Sequence, residues 1–202
     1  MTIQTCDTAN EFEICPFSIT VDSNEQAPFL FKGIKGRSKA GVRLPVVVRT
    51  IRKPMWNMGR DVHGTGLADY SIDNLEELVQ IERKSIEDLF GTLASRRDNF
   101  EREIERLNKQ CEAAWVLIEG SYGHIASFKS HGPDAASVIG TMIAWGQRYP
   151  RVHWVPAGSR DMAERLAFRF LERFWLDREE RLKAEAKAVK ESEKSNSEAA
   201  IV

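Results

Sequence analysis

The sequence predicts an α/β fold: one central mixed sheet flanked by helices, ending in a long C-terminal helix. Three observations point there. Short runs alternate apolar and polar residues as half-buried strands do, from Phe17 to Val21 and again on either side of residues 74–77. After Ser85, apolar residues recur at helical spacing: Ile86, Leu89, Phe90, Leu93, Phe100, Ile104 and Leu107. A second helical stripe, Met162, Leu166, Phe170 and Phe174, runs into a segment of interleaved charge.

The elements follow in order. Residues 1–16 read as a flexible lead-in. Phe17-Ser18-Ile19-Thr20-Val21 is a strand ending at Asp22-Ser23-Asn24-Glu25. Pro45 to Ile51 is a second β-rich run, with the 68–73 run as its expected partner. Ala68–Asp73 and Leu78–Lys84 alternate on either side of a turn at Asn74–Glu77, which makes a hairpin. Period two puts Tyr70 and Ile72 on one face and Asp69, Ser71 and Asp73 on the other. In the next strand Val79 and Ile81 share a face, opposite Gln80, Glu82 and Lys84. If the apolar faces coincide, Asp69, Glu82 and Lys84 project together. One helix is expected from Ser85 to about Gln110. Ala113–Glu119 then reads as a buried strand, 121–133 as a loop, 134–149 as a helix, 152–155 as a strand, and Arg160 onward as the last helix. The folded unit is expected over 17–176. Residues 177–202 read as a charged helical extension with a disordered tail; Asp177 to Lys194 holds six acids and six bases, an ion-paired solvated face.

Composition sets outer bounds. The 202 residues suit one domain, and 29 basic against 30 acidic residues exclude a wholly basic nucleic-acid coat. No run approaches the roughly 18–20 apolar residues of a membrane span. The N-terminus lacks the basic start and apolar core of a signal peptide. Three cysteines (Cys6, Cys15, Cys111) without CxxC spacing argue against a disulfide scaffold and a structural zinc site. The four histidines form no HxxxH or HExxH pair.

Charge is unevenly spread. From Gln26 to Arg60 there is no acid, while nine bases occur: Lys32, Lys35, Arg37, Lys39, Arg43, Arg49, Arg52, Lys53 and Arg60. Such a stripe suits a phosphate backbone. Phe31 and Trp56 lie within it, as stacking or core residues.

The chemistry concentrates in the hairpin. An acid on one strand, then an acid and a lysine one residue apart on the next, is the D…(D/E)-x-K arrangement of metal-dependent nucleases. Carboxylates bind hard cations such as Mg²⁺. The cation polarises the scissile phosphate and acidifies a bound water. A lysine beside it stabilises charge building on the phosphate. The gap in Glu82-Arg83-Lys84 puts both side chains on the metal face. Asp22 and Glu25 supply further carboxylates, and Asp88 lies one turn into the helix, in a Ser85-x-x-Asp88 capping pattern. Arg83 falls on the apolar face and reaches a carboxylate or phosphate from the rear.

Ile81-Glu82-Arg83-Lys84-Ser85-Ile86-Glu87-Asp88-Leu89 resembles the ERKxxxD signature of the XPF-type (ERCC-type) nuclease domain, a branch of the restriction-endonuclease-like PD-(D/E)xK superfamily that includes the archaeal Hef nuclease. Val21-Asp22-Ser23-Asn24-Glu25 is similar to its V-D-x-R-E, and Leu67-Ala68-Asp69-Tyr70 to its G-D-Y. Arg97, Phe100 and the strand Val116–Glu119 continue the likeness, which spans Phe17 to Val155. The resemblance implies a restriction-endonuclease-like nuclease domain dependent on Mg²⁺ or Mn²⁺. It implies a structure-specific endonuclease that cuts flap, fork or branched DNA in repair or recombination. Asp69, Glu82 and Asp22 would be metal ligands, Lys84 the catalytic lysine, with Glu25 and Arg83 in the catalytic group and Asp88 supporting it. Asn24 stands where the family has Arg, and Ala68 where it has Gly. No helix-hairpin-helix module or helicase motor follows residue 155, so the basic stripe or the last helix would carry DNA affinity. A homodimer or a partner subunit is the expected assembly, and an intracellular, nucleoid-associated location is expected.

Two rival readings use the same residues. A non-catalytic DNA-binding or scaffold subunit would bind DNA without cutting it. A small-nucleotide phosphodiesterase would share the metal logic but leave the basic stripe without a purpose.

Overall fold

The computed structural model describes residues 2–4, 12–36, 44–60, 64 and 66–199, with side chains not described at 2–4 or beyond residue 192. The strands are β1 (Thr2–Gln4), β2 (Phe12–Asp22), β3 (Val46–Lys53), β4 (Tyr70–Ile72), β5 (Val79–Lys84), β6 (Ala113–Ile118) and β7 (Val152–Pro156). They form one seven-stranded mixed sheet in the order β1-β2-β4-β5-β6-β7, with β3 paired to the other side of β2. The helices are α1 (Ile86–Ser95), α2 (Arg97–Gln110), α3 (Tyr122–Ser127), α4 (Ala135–Arg148) and α5 (Arg160–Ala199).

Two apolar layers sandwich the sheet, one on each face, as period-two alternation requires. Ile19, Val21, Tyr70, Ile72, Val79, Ile81 and Leu117 pack against Ala163, Ala167, Phe168 and Leu171 of α5. Ala114, Val116, Ile118 and Val152 pack against α1, α2 and α4 through Leu89, Phe100, Ile104, Leu107, Val138 and Trp145. The hairpin of β4 and β5 is antiparallel with Tyr70 opposite Ile81, and Asn74 takes a positive φ of 65° in its turn. The pairs β5·β6 and β6·β7 are parallel, joined through helical crossovers.

Five expectations need correction. The strand expected from Phe17 begins at Phe12, and β1 lies earlier still, so residues 2–4 and 12–16 are sheet rather than lead-in. Pro16 hid this: the β2·β3 register shifts between Ile14 and Ser18, and that irregularity is where a strand tolerates proline. β3 pairs with β2, in parallel, and not with the 68–73 run, which faces the other side of β2. The helix expected to run unbroken to Gln110 breaks at Arg96, whose ψ of 27° departs from helical geometry. The loop at 121–133 contains α3, closed by a Ser121–His124 capping box. The charged extension is helix through Ala199, reaching into the expected tail. Arg37, Lys39, Arg43, Cys6 and His63 lie outside the described residues.

Candidate active site

The site is assembled by sheet register. Val21 opposes Tyr70, and Tyr70 opposes Ile81, with their side chains in the α5 layer. One step along, the next row is Asp22, Asp69 and Glu82, on the opposite face. The Asp22 N–H donates to the Asp69 carbonyl at 2.8 Å, which fixes that row. Lys84 lies two residues beyond Glu82, on the same face, and its Nζ is 2.5 Å from Glu82 Oε1. Asp69, Glu82 and Lys84 are therefore together, as alternation predicted.

Burial makes this cluster electrostatically strained. Glu82 is 5% exposed and Asp22 6%. Asp69 is held well above its ordinary value by burial and by Glu82, against the lowering effect of Lys84 and the Arg83 N–H that Oδ2 accepts at 2.8 Å. Burial disfavours the Lys84 ammonium, yet Glu82, Glu103 and Asp69 outweigh it and raise its pKa. Lys84 is thus a charged ammonium at neutral pH. Its Nζ also lies 5.0 Å above the Phe100 ring.

Glu103 of α2 is the site residue that sequence reasoning missed. Burial and the neighbouring Glu82, with which it shares a hydrogen bond, push its carboxyl well above the ordinary range. Two carboxylates this close share a proton unless a cation joins them. A signal existed: Glu103 follows Phe100 by three residues and precedes Leu107 by four, on the flank of the buried stripe. Lys84, Phe100 and Glu103 open into a cleft of about 330 Å³ whose rim includes Gly64, Arg96, Asn99 and Arg102. The break between α1 and α2 places Arg96 there.

The other expected residues separate. Arg83 points to the opposite face and grips Glu25 with two bonds of 3.0 Å and Glu119 with one of 2.9 Å. Glu25 is therefore tied to Arg83 behind the face that carries Asp69 and Glu82. Arg160 of α5 meets the same Glu119 at 2.6 Å. Asp88 is exposed in the first turn of α1, where its N–H donates to Ser85 Oγ at 3.0 Å; no side-chain contact joins it to the cluster. In the basic stripe, Lys53 is held by Asp73 and Glu76 at 2.7 and 2.5 Å. Arg52 donates to the Ser23 and Glu25 carbonyls at 2.9 Å each. Lys32, Lys35, Arg49 and Arg60 are exposed.

The donors fit a divalent cation. Mg²⁺ takes one or two carboxylates and keeps its waters, so it needs no all-protein cage. Among the described residues no group of three or more His, Cys, Asp or Glu forms a closed ligand set. Asp69 and Glu82 supply two carboxylates, and Asp22 adds a buried Oδ1 with no hydrogen-bond partner. An orphaned buried carboxylate oxygen in the same sheet row as two crowded acids is compatible with a cation there.

The family model of the ERCC4 domain matches residues 21–168. The chain belongs to the ERCC4 domain family. This is a nuclease family, and the matched segment runs from the end of β2 into α5. The ERCC4 fold is also seen in solved structures. XPF from Aeropyrum pernix superposes with a TM-score of 0.53 at 16% identity, over 83% of this chain and 69% of that one. XPF from the same organism in complex with DNA gives 0.50 at 16% identity, over 80% and 66%. No curated protein matches by sequence.

Proposed function

We propose that this ERCC4 domain is an active, divalent-metal-dependent endodeoxyribonuclease that cuts flap, fork or branched DNA, in repair or recombination. The observation that carries this reading is the row Asp22–Asp69–Glu82 with Lys84 on one sheet face, opening into a cleft edged by Arg96 and Arg102. A full acid and lysine set is what hydrolysis needs, and DNA binding alone does not need it.

Asp69 and Glu82 would hold Mg²⁺ or Mn²⁺, with Asp22 completing the set. When bound, the cation polarises the phosphate and acidifies a water. The protein does the rest. Lys84 stays protonated, so it acts as a donor and a positive charge toward the phosphate oxygens, not as a base. Glu103 orients Glu82 and Lys84. Arg83, braced by Glu25 and Glu119, fixes the β5 backbone so that its N–H holds Asp69 in place. Exposed Arg96, Arg102 and Arg60 supply charge for the DNA backbone.

The decisive experiment is a cleavage panel of duplex, single strand, 5′ flap, 3′ flap, splayed arm and fork, each with Mg²⁺, Mn²⁺ or EDTA, beside Glu82→Gln. Metal-dependent cutting that the variant loses establishes the activity and names the substrate. A folded wild type that binds these DNAs and cuts none of them replaces this reading with a binding subunit.

A further inference from the structure

The basic stretch carries two aromatic residues that the catalytic scheme leaves unused, Phe31 and Trp56. The fold separates their roles. Phe31 is 2% exposed and meets Phe29 and Tyr70 edge-on in the core. Trp56 is 43% exposed and belongs to neither apolar layer. Its ring is therefore accessible from the surface.

The chain holds Trp56 firmly, and near the cleft. It is the middle residue of a 3₁₀ turn, Met55–Asn57. Met55 is fully buried, and its carbonyl accepts the Met58 and Leu67 N–H groups at 2.9 Å each. Gly66 passes so close that a Cβ there would lie 1.9 Å from the Trp56 carbonyl oxygen. Gly66 precedes Asp69 by three residues, at most about 11 Å of chain. Gly64, in the same loop, lines the cleft beside Lys84. The Arg60 guanidinium lies over the indole, 5.1 Å from the ring centroid.

We propose that Trp56, backed by Arg60, is a stacking platform for an unpaired nucleobase next to the cleavage site. An indole face stacks on any base, so the contact is indifferent to sequence. Bases inside a duplex already stack on one another and offer no free face. The platform therefore reads strand state: it engages a single-stranded arm and ignores paired DNA. Arg60 adds charge behind the ring and toward the backbone. This assignment rests on the DNA nuclease reading above and deepens it by naming what selects the junction.

The test separates the two. Binding is measured by fluorescence anisotropy in EDTA, so that no strand is cut, on a blunt duplex and on the same duplex with a splayed single-stranded arm. Trp56→Ala is expected to weaken arm binding roughly 5- to 100-fold and duplex binding by no more than about twofold. Trp56→Phe is expected to keep most of the arm affinity. In the wild type, 2-aminopurine placed in the arm beside the junction is expected to lose emission on binding. Equal losses on both DNAs, or no loss on either, overturn the assignment. If Trp56→Ala fails to fold, the wild-type probe decides, and unchanged 2-aminopurine emission overturns it. A wild type that binds neither DNA overturns the DNA reading, and this assignment with it.

Discussion

At the scale of the residue, the site is a balance of one cation against three acids. Lys84 neutralises part of what Glu82, Asp69 and Glu103 crowd together, and on the proposed reading a divalent cation supplies the rest. Lys84→Ala, Asp69→Asn and Glu82→Gln are each expected to lower cleavage at least about a hundredfold while DNA binding persists. A gel assay on the panel, with anisotropy alongside, checks both halves. Glu103→Gln should behave differently. It removes a supporting carboxylate, so cutting should survive with a metal requirement raised roughly 10- to 100-fold. A titration of rate against Mn²⁺ would show that shift; an unchanged half-saturation would exclude Glu103 from the site. That Asp69, Glu82 and Lys84 share one face was legible because β-alternation has period two and one hairpin register relates all three; Asp22 joins their row through the β2·β4 pairing, which the sequence did not reveal. Glu103 was only half legible: its place beside the buried stripe of α2 marks a partly buried acid, but a helix approaching from another layer carries no local mark of the strand it will meet.

At the scale of the element, β5 does two jobs with successive residues. Glu82 and Lys84 serve one face; Arg83 serves the other, joining the turn after β2 through Glu25, the end of β6 through Glu119, and α5 through the Glu119–Arg160 pair. The side chains of Arg83, Glu25 and Glu119 are 13%, 6% and 11% exposed. Arg83→Ala leaves the largely buried Glu25 without its cation, while Glu119 keeps Arg160, and should cost about 3 kcal/mol of stability. Chemical denaturation would measure it, and a loss below about 1 kcal/mol would show the clamp to be ornamental. Strong local periodicity made β4, β5, α4 and β7 readable in the sequence. What stayed hidden depends on distant partners. Nothing local says that β3 runs parallel to β2. No glycine or proline marks the break at Arg96, which sits where α1 and α2 turn to pack different parts of one layer. The bulge that admits Pro16 exists only because β3 lies alongside it.

At the scale of the whole molecule, the acidic site is a defect that folding tolerates. Asp69 and Glu103 have raised pKa values in the fold. Between their ordinary and raised values the folded chain therefore binds more protons than the unfolded one. Metal-free stability should then fall as pH rises from about 4 through that window. Added Mn²⁺ should raise the Tm most at the alkaline end, where the carboxylates are free to bind it. Glu82→Gln should flatten both trends in a thermal melt; a wild-type Tm indifferent to Mn²⁺ at every pH would exclude a cation from this cluster. The sheet's outline carries a different consequence. Beyond β3 the described residues add only an isolated antiparallel bridge, Lys35 to Pro45, where the Val46 N–H donates to the Ile34 carbonyl at 2.8 Å; from Val47 onward its outer edge is open. An open strand edge is a template on which another chain can build, and this one exposes Val47. Arg49 and Arg52 stand exposed along its length and Lys53 closes it. Positive charge on a free edge repels a second copy of itself and makes continuous pairing costly. The expected consequence is that a variant with Arg49 and Arg52 replaced by uncharged residues loses solubility before it loses its shape.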